Sequence, residues 1–321
     1  MRRFESFRPK ISEKMAQDFM IFAGSSHPEL ACEVAKILHV ELGQVLIETF
    51  PDGEIGAQIL QNVRGKDVFV VQSPARHPNH FLMELLILTD ALKRASARSI
   101  VAVMPYYPYA RQDRKEKGRV PITARLVANL LERAGVTRVM TMDLHTEQIQ
   151  GFFDIPVDHL YARQLFVKAL KELPLKKAVI VSPDIGSNKM ARKFAEGLKL
   201  EIAIVDKRRI DGRDVEVNAL IGSVQGKSAI LVDDICSTGG TLELAAKVCR
   251  EHGAETVFAV VTHALLMGGP KLKGIDQLFV TNSVPQIKEE GGMHVLSIAP
   301  LIAEAVECVI SAKSISSLFK R

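Results

Sequence analysis

Short apolar runs rich in β-branched residues alternate with longer amphipathic stretches along this chain, and this alternation limits the fold more than any other feature. In the first half, three such runs predict buried strands, at 68–73, 99–107 and 138–144. The stretches between them predict helices at 80–95 and 122–135, with Gly135 ending the second helix. A strand–helix–strand series of this kind folds into a parallel sheet with right-handed crossovers.

The second half of the chain repeats the pattern. Its apolar runs predict four further strands, at 177–184, 201–209, 228–234 and 256–264. The stretches between them predict helices at 187–198 and 241–253. The predicted fold class is therefore α/β, with two similar halves that each carry a mainly parallel central sheet flanked by helices. The predicted divisions are an N-terminal extension at 1–17, a first domain at 18–160 and a second domain at 161–321.

Composition agrees with two ordinary globular domains. The 321 residues suffice for two cores, and 47% hydrophobic with 25% charged residues argues against disorder. A net charge of +5 suits anionic small molecules as well as nucleic acid, so it does not choose between them. The four cysteines are scattered without CxxC spacing, which favours a reduced, cytoplasmic chain. Since no apolar run approaches the roughly 18 residues of a membrane helix, no membrane partner is expected.

One strand end combines acidic and glycine residues in the stretch "DDICSTGGT" at 233–241. Ligands of open α/β sheets bind beyond the carboxyl ends of the strands. Glycines let the backbone approach a ligand, successive amides bind anions, and a helix beginning near Thr241 adds a positive dipole end. Asp233 and Asp234 would repel phosphate but accept hydrogen bonds from two vicinal hydroxyls, and a phosphate beside a diol describes a ribose phosphate. The open alternative is a plain strand–turn–helix with Thr241 as its N-cap residue.

This stretch resembles the phosphoribosyl-diphosphate-binding loop of the type I phosphoribosyltransferase fold, and other motifs narrow the resemblance. The further motifs are "FPDGE" (50–54), "PYYPYARQDR" (105–114), "MDLHTEQIQGFFDIPVD" (142–158), "SPDIG" (182–186) and "DKRR" (206–209). Together they resemble the motif set of the ribose-phosphate diphosphokinase family. The resemblance implies a fold of two phosphoribosyltransferase-like domains. It also implies an enzyme that transfers the diphosphoryl group of ATP to the anomeric hydroxyl of ribose 5-phosphate. It also implies that Mg²⁺ is required and that AMP is released.

The resemblance assigns the catalytic and metal-linked roles to four residues. Lys207 and Arg209 are the catalytic pair, on a loop that closes over ATP, and the polar stretch at 209–218 suits such a lid. His145 contacts the Mg²⁺–ATP complex, as metal ligand or as phosphate contact, and Asp184 is the second residue linked to the metal. A basic triplet is usually a solvated cluster and a lone histidine is usually structural, so these roles depend on the resemblance and on both motifs standing at strand ends.

The resemblance assigns the adenine site to Phe50, Asp52 and Glu54. In the family these residues come from a neighbouring subunit, so a homo-oligomer of at least two copies is implied. Phe50 would stack on the base, and the two acids would accept from its exocyclic amine. Arg111 and Gln112 are also assigned to ATP, with Arg111 on the phosphates. Taken alone, Pro-Asp-Gly within "FPDGE" indicates a surface turn.

The resemblance assigns ribose 5-phosphate to the stretch at 233–241. Asp233 and Asp234 would bind the sugar hydroxyls, and the residues around the phosphate would be Ser237, Thr238, Gly239, Gly240 and Thr241. Ser237 stands where many family members carry aspartate. The stretch "SPDIGSNKMARK" (182–193) replaces a commoner Gly-Gly sequence. Both departures touch the ribose side of the site.

Two functions from other classes remain as alternatives. A phosphoribosyltransferase would share the ribose-phosphate loop, but it does not explain two repeated halves, "FPDGE" or "DKRR". A regulatory paralogue that binds its relatives without catalysing would be expected to have lost the residues named above, and they are present. ATP and ribose 5-phosphate are the expected partners, and no nucleic-acid partner is expected because a separate helix-turn-helix segment is lacking.

Overall fold

The chain divides into two compact units in the computed structural model, which describes residues 18–173, 177–184, 186–210, 215–285 and 292–319. The first unit contains residues 18–161, 283–285 and 297–319. The second unit contains residues 162–282 and 292–296 within the described ranges. Each unit has its own sheet, as expected for two α/β halves.

The first unit is built on five parallel strands in the order β1-β4-β5-β6-β7. These strands are β1 (Phe19–Ala23), β4 (Asp67–Val71), β5 (Ser99–Met104), β6 (Arg138–Met142) and β7 (Val157–Leu160). An antiparallel hairpin of β2 (Val45–Thr49) and β3 (Ile55–Ile59) lies outside this sheet. The helices that follow the strands are α1 (Pro28–Leu38), α2 (Pro78–Arg94) and α3 (Thr123–Ala134), with a 3₁₀ helix at Glu147–Phe152.

The central strands of the first unit are buried on both faces. Val68, Val70 and Ala102 have no exposed surface, and they pack with Leu85 of α2 and Leu131 of α3. Parallel strands covered by helices on both sides read as continuous apolar runs, which is why these strands were predictable. The end of α3 was also predictable, because the C-cap residue Gly135 has a φ of 125°, which only glycine adopts easily.

The second unit is built on seven strands in the order β10-β9-β8-β11-β12-β13-β14. They are β8 (Ala178–Ser182), β9 (Glu201–Ile210), β10 (Val215–Ile221), β11 (Ser228–Cys236), β12 (Thr256–Ala264), β13 (Gln277–Thr281) and β14 (Met293–Leu296). All pairings are parallel except that of β9 with β10. The helices are α4 (Arg163–Lys171), α5 (Asn188–Leu198) and α6 (Gly240–Glu251).

The stretch after "DKRR" differs from the prediction. The sequence was expected to leave the sheet there and form a loop over 209–218, but β9 continues to Ile210 and pairs antiparallel with β10. Val215 and Val217 alternate with polar residues, which is the period of a half-exposed strand. That alternation outweighs the polar composition on which the loop prediction depended. Residues 211–214 of the predicted lid lie outside the described residues.

The C-terminal part of the chain belongs to the first unit, whereas the sequence was divided into domains at residue 160 alone. Helix α7 (Ala299–Ile310) packs against α1, and a 3₁₀ helix follows at Ile315–Phe319. The Ser297 hydroxyl donates to the Glu33 carboxylate at 2.6 Å. In the described ranges, no helix has both the length and the apolar character needed to cross a membrane.

Candidate active site

Two acidic motifs of the second unit meet at one edge of its sheet. Strands β8 and β11 are parallel neighbours, so their carboxyl ends lie at the same edge. Asp184 follows β8 after Pro183. Asp233 and Asp234 lie near the carboxyl end of β11. We call these three residues the acid cluster. The sequence placed them at the ends of two different strands, and the register of β8 with β11 brings those ends together.

Ser187 connects the members of the acid cluster. Its hydroxyl oxygen lies 2.8 Å from Asp233 Oδ1 and 3.1 Å from Asp184 Oδ1. Its backbone N–H donates to Asp184 Oδ1 at 2.9 Å, just before α5 begins. The backbone N–H of Asp234 donates to Asp233 Oδ1 at 3.0 Å. The cluster is therefore held by short hydrogen bonds rather than by chance proximity.

The electrostatics of the acid cluster favour a ligand that carries positive charge or donates hydrogen bonds. Burial raises the pKa of Asp233 well above its usual range, and the nearby carboxylates of Asp234 and Asp184 raise it further. The hydrogen bond from Ser187 acts in the opposite direction. Three carboxyl groups this close repel one another when charged, so sugar hydroxyls or a cation would stabilise them.

The turn after β11 presents backbone to solvent. Gly239 is the N-cap of α6 with a φ of 97°, and α6 begins at Gly240, one residue before the predicted start. Thr241 therefore lies inside the helix, and the alternative that made it the N-cap is wrong. Ser237 and Thr241 are half-buried, whereas Thr238 and Gly240 are exposed. We call residues 237–241 the glycine turn; its amides and the start of α6 form an anion-binding arrangement.

The segment at 265–272, which was not predicted as part of the site, holds the glycine turn in place. The N–H groups of Leu265 and Leu266 donate to the Cys236 carbonyl at 2.9 and 3.3 Å. The N–H of Met267 donates to the Ser237 carbonyl at 2.8 Å. Leu272 fills the space beside Gly239, where an added Cβ would lie 2.3 Å from its Cδ2 atom. Gly-Gly-Pro at 268–270 signalled a turn, but nothing in the sequence tied that turn to residues 237–241.

Three further predicted residues, all polar, lie at the carboxyl edge of the first unit's sheet. His145 is exposed and follows β6 by three residues. Arg111 and Gln112 are exposed and follow the neighbouring strand β5. The Thr146 hydroxyl donates to Asp113 Oδ2 at 2.9 Å, which joins the two loops. The first unit thus brings these three predicted residues to one edge.

The side chain of Gln112 already has a partner in the first unit. Thr123 Oγ1, at the start of α3, donates to Gln112 Oε1 at 2.5 Å. The N–H of Ala124 donates to the Gln112 carbonyl at 3.2 Å. These contacts tie the loop after β5 to the first turn of α3, so the side-chain amide nitrogen of Gln112 is the group best suited to meet a ligand.

The motif "FPDGE" forms the tip of the β2–β3 hairpin. Phe50 N–H donates to the Glu54 carbonyl at 2.8 Å, and Asp52 Oδ1 accepts from the Glu54 N–H at 3.1 Å. Phe50 is 44% exposed, an unusual state for phenylalanine on a turn. The predicted surface turn is therefore present, with an aromatic ring and two acids displayed at its tip.

The catalytic pair predicted from "DKRR" falls in the last part of β9. The backbone of Lys207 pairs with Asn218, and that of Arg209 pairs with Glu216. The side chains of Lys207 and Arg209 lie outside the described residues. Their assignment thus depends on sequence position and similarity.

Comparison with known proteins covers both units. Residues 19–135 match the N-terminal domain of ribose phosphate pyrophosphokinase. Residues 157–288 match the phosphoribosyl transferase domain. The first match distinguishes the chain from a simple phosphoribosyltransferase, because it accounts for the half of the chain that the transferase domain leaves unexplained.

Similar proteins extend over almost the whole chain. Ribose-phosphate pyrophosphokinase of Wolinella succinogenes is 51% identical over 305 residues, which cover 94% of this chain and 99% of that protein. The protein of the same name from Bacillus caldolyticus is 51% identical over 306 residues, covering 93% and 97%. The crystal structure of phosphoribosylpyrophosphate synthetase from Mycobacterium smegmatis matches with a TM-score of 0.87 and 44% identity, covering 92% of this chain and 99% of that chain.

Proposed function

This chain belongs to the ribose-phosphate pyrophosphokinase family, and we infer that it transfers the diphosphoryl group of ATP to ribose 5-phosphate. The products are phosphoribosyl diphosphate and AMP. The observation that carries this function is the acid cluster standing beside the glycine turn at one edge of the second sheet. The first offers acceptors for a diol, and the second offers amide donors for a phosphate.

The sugar side of the site is assigned to the second unit. Asp233 and Asp234 accept from the ribose hydroxyls, because hydrogen bonds from hydroxyl groups to charged carboxylates are strong. The 5-phosphate binds the glycine turn, where amides and the dipole of α6 favour negative charge. In bound ribose 5-phosphate, about one sugar ring separates the 5-phosphate from the hydroxyls that contact the acids. The negative charges of the phosphate and of the carboxylates are therefore kept apart.

Mg²⁺ is the metal that suits the acid cluster. Its donors are carboxylate oxygens, which Mg²⁺ prefers, and burial together with their mutual repulsion raises the pKa of Asp233. In the described ranges, no group of three or more His, Cys, Asp or Glu side chains is arranged to hold a metal ion by itself. A metal held by one or two protein ligands, with phosphate oxygens and water completing its shell, fits that donor set. By family similarity, Asp184 and His145 are each proposed as residues linked to the metal.

Bound Mg²⁺ would neutralise part of the phosphate charge. The chain's own residues position the substrates and stabilise the charge that develops during the transfer. Diphosphoryl transfer depends mainly on positioning and charge stabilisation. Arg111 and Gln112 hold the nucleotide at the edge of the first sheet. Lys207 and Arg209 bring positive charge to the phosphates as negative charge moves onto the departing AMP. The sugar's anomeric hydroxyl, held through the diol and the phosphate, attacks the β-phosphorus.

The hairpin tip supports a homo-oligomer. Phe50, Asp52 and Glu54 are displayed on an exposed turn, and a second copy of the chain would receive them at its adenine site. Stacking on an exposed ring and hydrogen bonds to the acids would bind the base. The four cysteines are free, and together with the use of ATP this supports a reducing cytoplasmic location.

Replacement of Gly239 by alanine tests the phosphate site directly. At a φ of 97° alanine is strained, and its Cβ would lie 2.3 Å from Leu272 Cδ2, so we expect the Leu272 side chain and the turn to shift. A shift of about 1 Å misaligns the amides, so we expect the dissociation constant of ribose 5-phosphate, measured by calorimetry, to rise by roughly tenfold or more. Gly226→Ala is the matched control, since it has a φ of 63° and only ordinary contacts at the other edge of the sheet. Equal affinity in the Gly239 variant and the control would refute the phosphate site at this turn.

A further inference from the structure

Ser187 occupies a position that connects the two strands of the acid cluster. It is 8% exposed and directly precedes α5. Asp184 and Asp233 come from strands β8 and β11, and Ser187 is within hydrogen-bond distance of one oxygen from each. In the sequence, this residue stands in the stretch 182–193 that replaces a commoner Gly-Gly sequence. In the folded chain its side chain contacts the residue assigned to the sugar.

The donors of Ser187 divide between the two carboxylates. A hydroxyl has one proton, and the shorter distance, 2.8 Å, leads to Asp233 Oδ1. The backbone N–H of Ser187 serves Asp184 Oδ1 at 2.9 Å. Each carboxylate thus receives a donor of its own from one residue, and a change of Ser187 to alanine removes the hydroxyl donor alone.

The hydrogen bonds of Asp233 fix the orientation of its carboxylate. Both Ser187 Oγ and the N–H of Asp234 donate to Oδ1. Fixing Oδ1 in this way also fixes the position of Oδ2. Without the hydroxyl, a single backbone donor holds Oδ1, and the carboxylate gains rotational freedom about its Cβ–Cγ bond.

We propose that Ser187 is a positioning residue for the sugar, whose hydroxyl orients the Asp233 carboxylate to accept from a ribose hydroxyl. The proposal rests on the proposed function, because it takes ribose 5-phosphate as the ligand of the acid cluster. The carboxylate is buried among like charges, so a neutral hydroxyl donor can fix it without adding a competing cation. A positively charged residue at this position would neutralise the cluster and compete with the ligand's own donors.

The test compares Ser187→Ala with two matched variants. Ser187→Thr keeps a hydroxyl at the same position, and Ser228→Ala removes a hydroxyl from the opposite end of the strand that carries Asp233. Ribose 5-phosphate binding is measured by calorimetry without nucleotide, and the Michaelis constants of both substrates are measured with the complete protein. We expect Ser187→Ala to raise the dissociation constant and KM of ribose 5-phosphate about tenfold, because hydrogen bonds to charged groups have effects of that size. KM for ATP should stay within about twofold, and both matched variants should resemble the unaltered protein.

Three results would overturn the proposal. Unchanged ribose 5-phosphate affinity in Ser187→Ala would show that the hydroxyl does not orient Asp233. A merely structural role would be indicated if Ser187→Ala raised KM equally for both substrates and lost as much thermal stability as Ser228→Ala. Absence of ribose 5-phosphate binding to the unaltered protein would overturn the proposed function together with this proposal, and so it is distinct from the first two outcomes.

Discussion

Lys207→Ala should lower turnover by about 10³-fold or more while ribose 5-phosphate binds with nearly unchanged affinity. The expected loss is large because the lysine acts on charge that develops as AMP departs, and groups of this kind stabilise the transition state more than the ground state. Turnover is measured by AMP formation at saturating substrates, and sugar affinity by calorimetry without nucleotide. The combination of lost turnover and retained sugar binding distinguishes a catalytic cation from a residue needed for folding.

Arg208→Ala is the matched control for this prediction. Arg208 stands between Lys207 and Arg209 in the sequence and is not assigned to catalysis. Removing the charge at 208 should therefore change turnover by a few-fold at most. If Lys207→Ala retained near-normal turnover, or if the Arg208 variant lost as much, the catalytic assignment of Lys207 would be wrong.

Asp234→Ala should weaken ribose 5-phosphate binding by roughly tenfold to hundredfold. The carboxylate is assigned to a sugar hydroxyl, and a hydrogen bond to a charged group contributes about 1.5–3 kcal/mol. The unaltered protein should also prefer ribose 5-phosphate to 2-deoxyribose 5-phosphate, which lacks one hydroxyl of the diol. In the Asp234 variant that preference should shrink, and calorimetry with both sugars measures it.

Glu255→Ala is the control for loss of a carboxylate. Glu255 is exposed and precedes β12 at the opposite edge of the same sheet. Its removal changes the net charge by the same amount as the Asp234 variant, but it should leave the affinity for both sugars unchanged. An Asp234 variant that binds ribose 5-phosphate normally, or that keeps the full preference over the deoxy sugar, would contradict the diol assignment.

Much of the fold could be predicted from the sequence because parallel strands are buried on both faces. All seven predicted strands and all four predicted helices are present, with ends that differ by a few residues. Apolar runs such as 228–234 have no solvent face to interrupt them. The α/β class and its two halves were confirmed by the sheets and by the structural match at a TM-score of 0.87.

Of the fourteen strands in the described ranges, seven were not predicted, and these include the buried strands β1 and β13. Strand β10 carries polar residues at 216 and 218, and the β2–β3 hairpin is short and contains a Pro-Asp-Gly turn, so these segments resemble loops in sequence. The return of α7 to the first unit was also missed, because packing between α1 and α7 joins residues far apart in the chain. The periodicity of a sequence identifies an apolar helix face, but it does not indicate which distant segment of the chain packs against that face.

The residue types of the site could be predicted, but the contacts that hold them could not. Asp184 and Asp233 were placed at strand ends, and the family membership inferred from their motifs was confirmed. The link between them through Ser187 depends on the register of β8 with β11. Likewise, Leu272 stands more than thirty positions after Gly239 and contacts it only because β12 returns the chain to the same edge. The individual roles of the site residues stay predictions.

Release of AMP from ATP, measured with and without ribose 5-phosphate and in the presence of Mg²⁺, tests the central claim most directly. Transfer of a diphosphoryl group predicts one AMP for each ribose 5-phosphate consumed, formation of phosphoribosyl diphosphate in equal amount, and almost no AMP when the sugar is omitted. Release of ADP, or AMP formation that does not depend on ribose 5-phosphate, would contradict it.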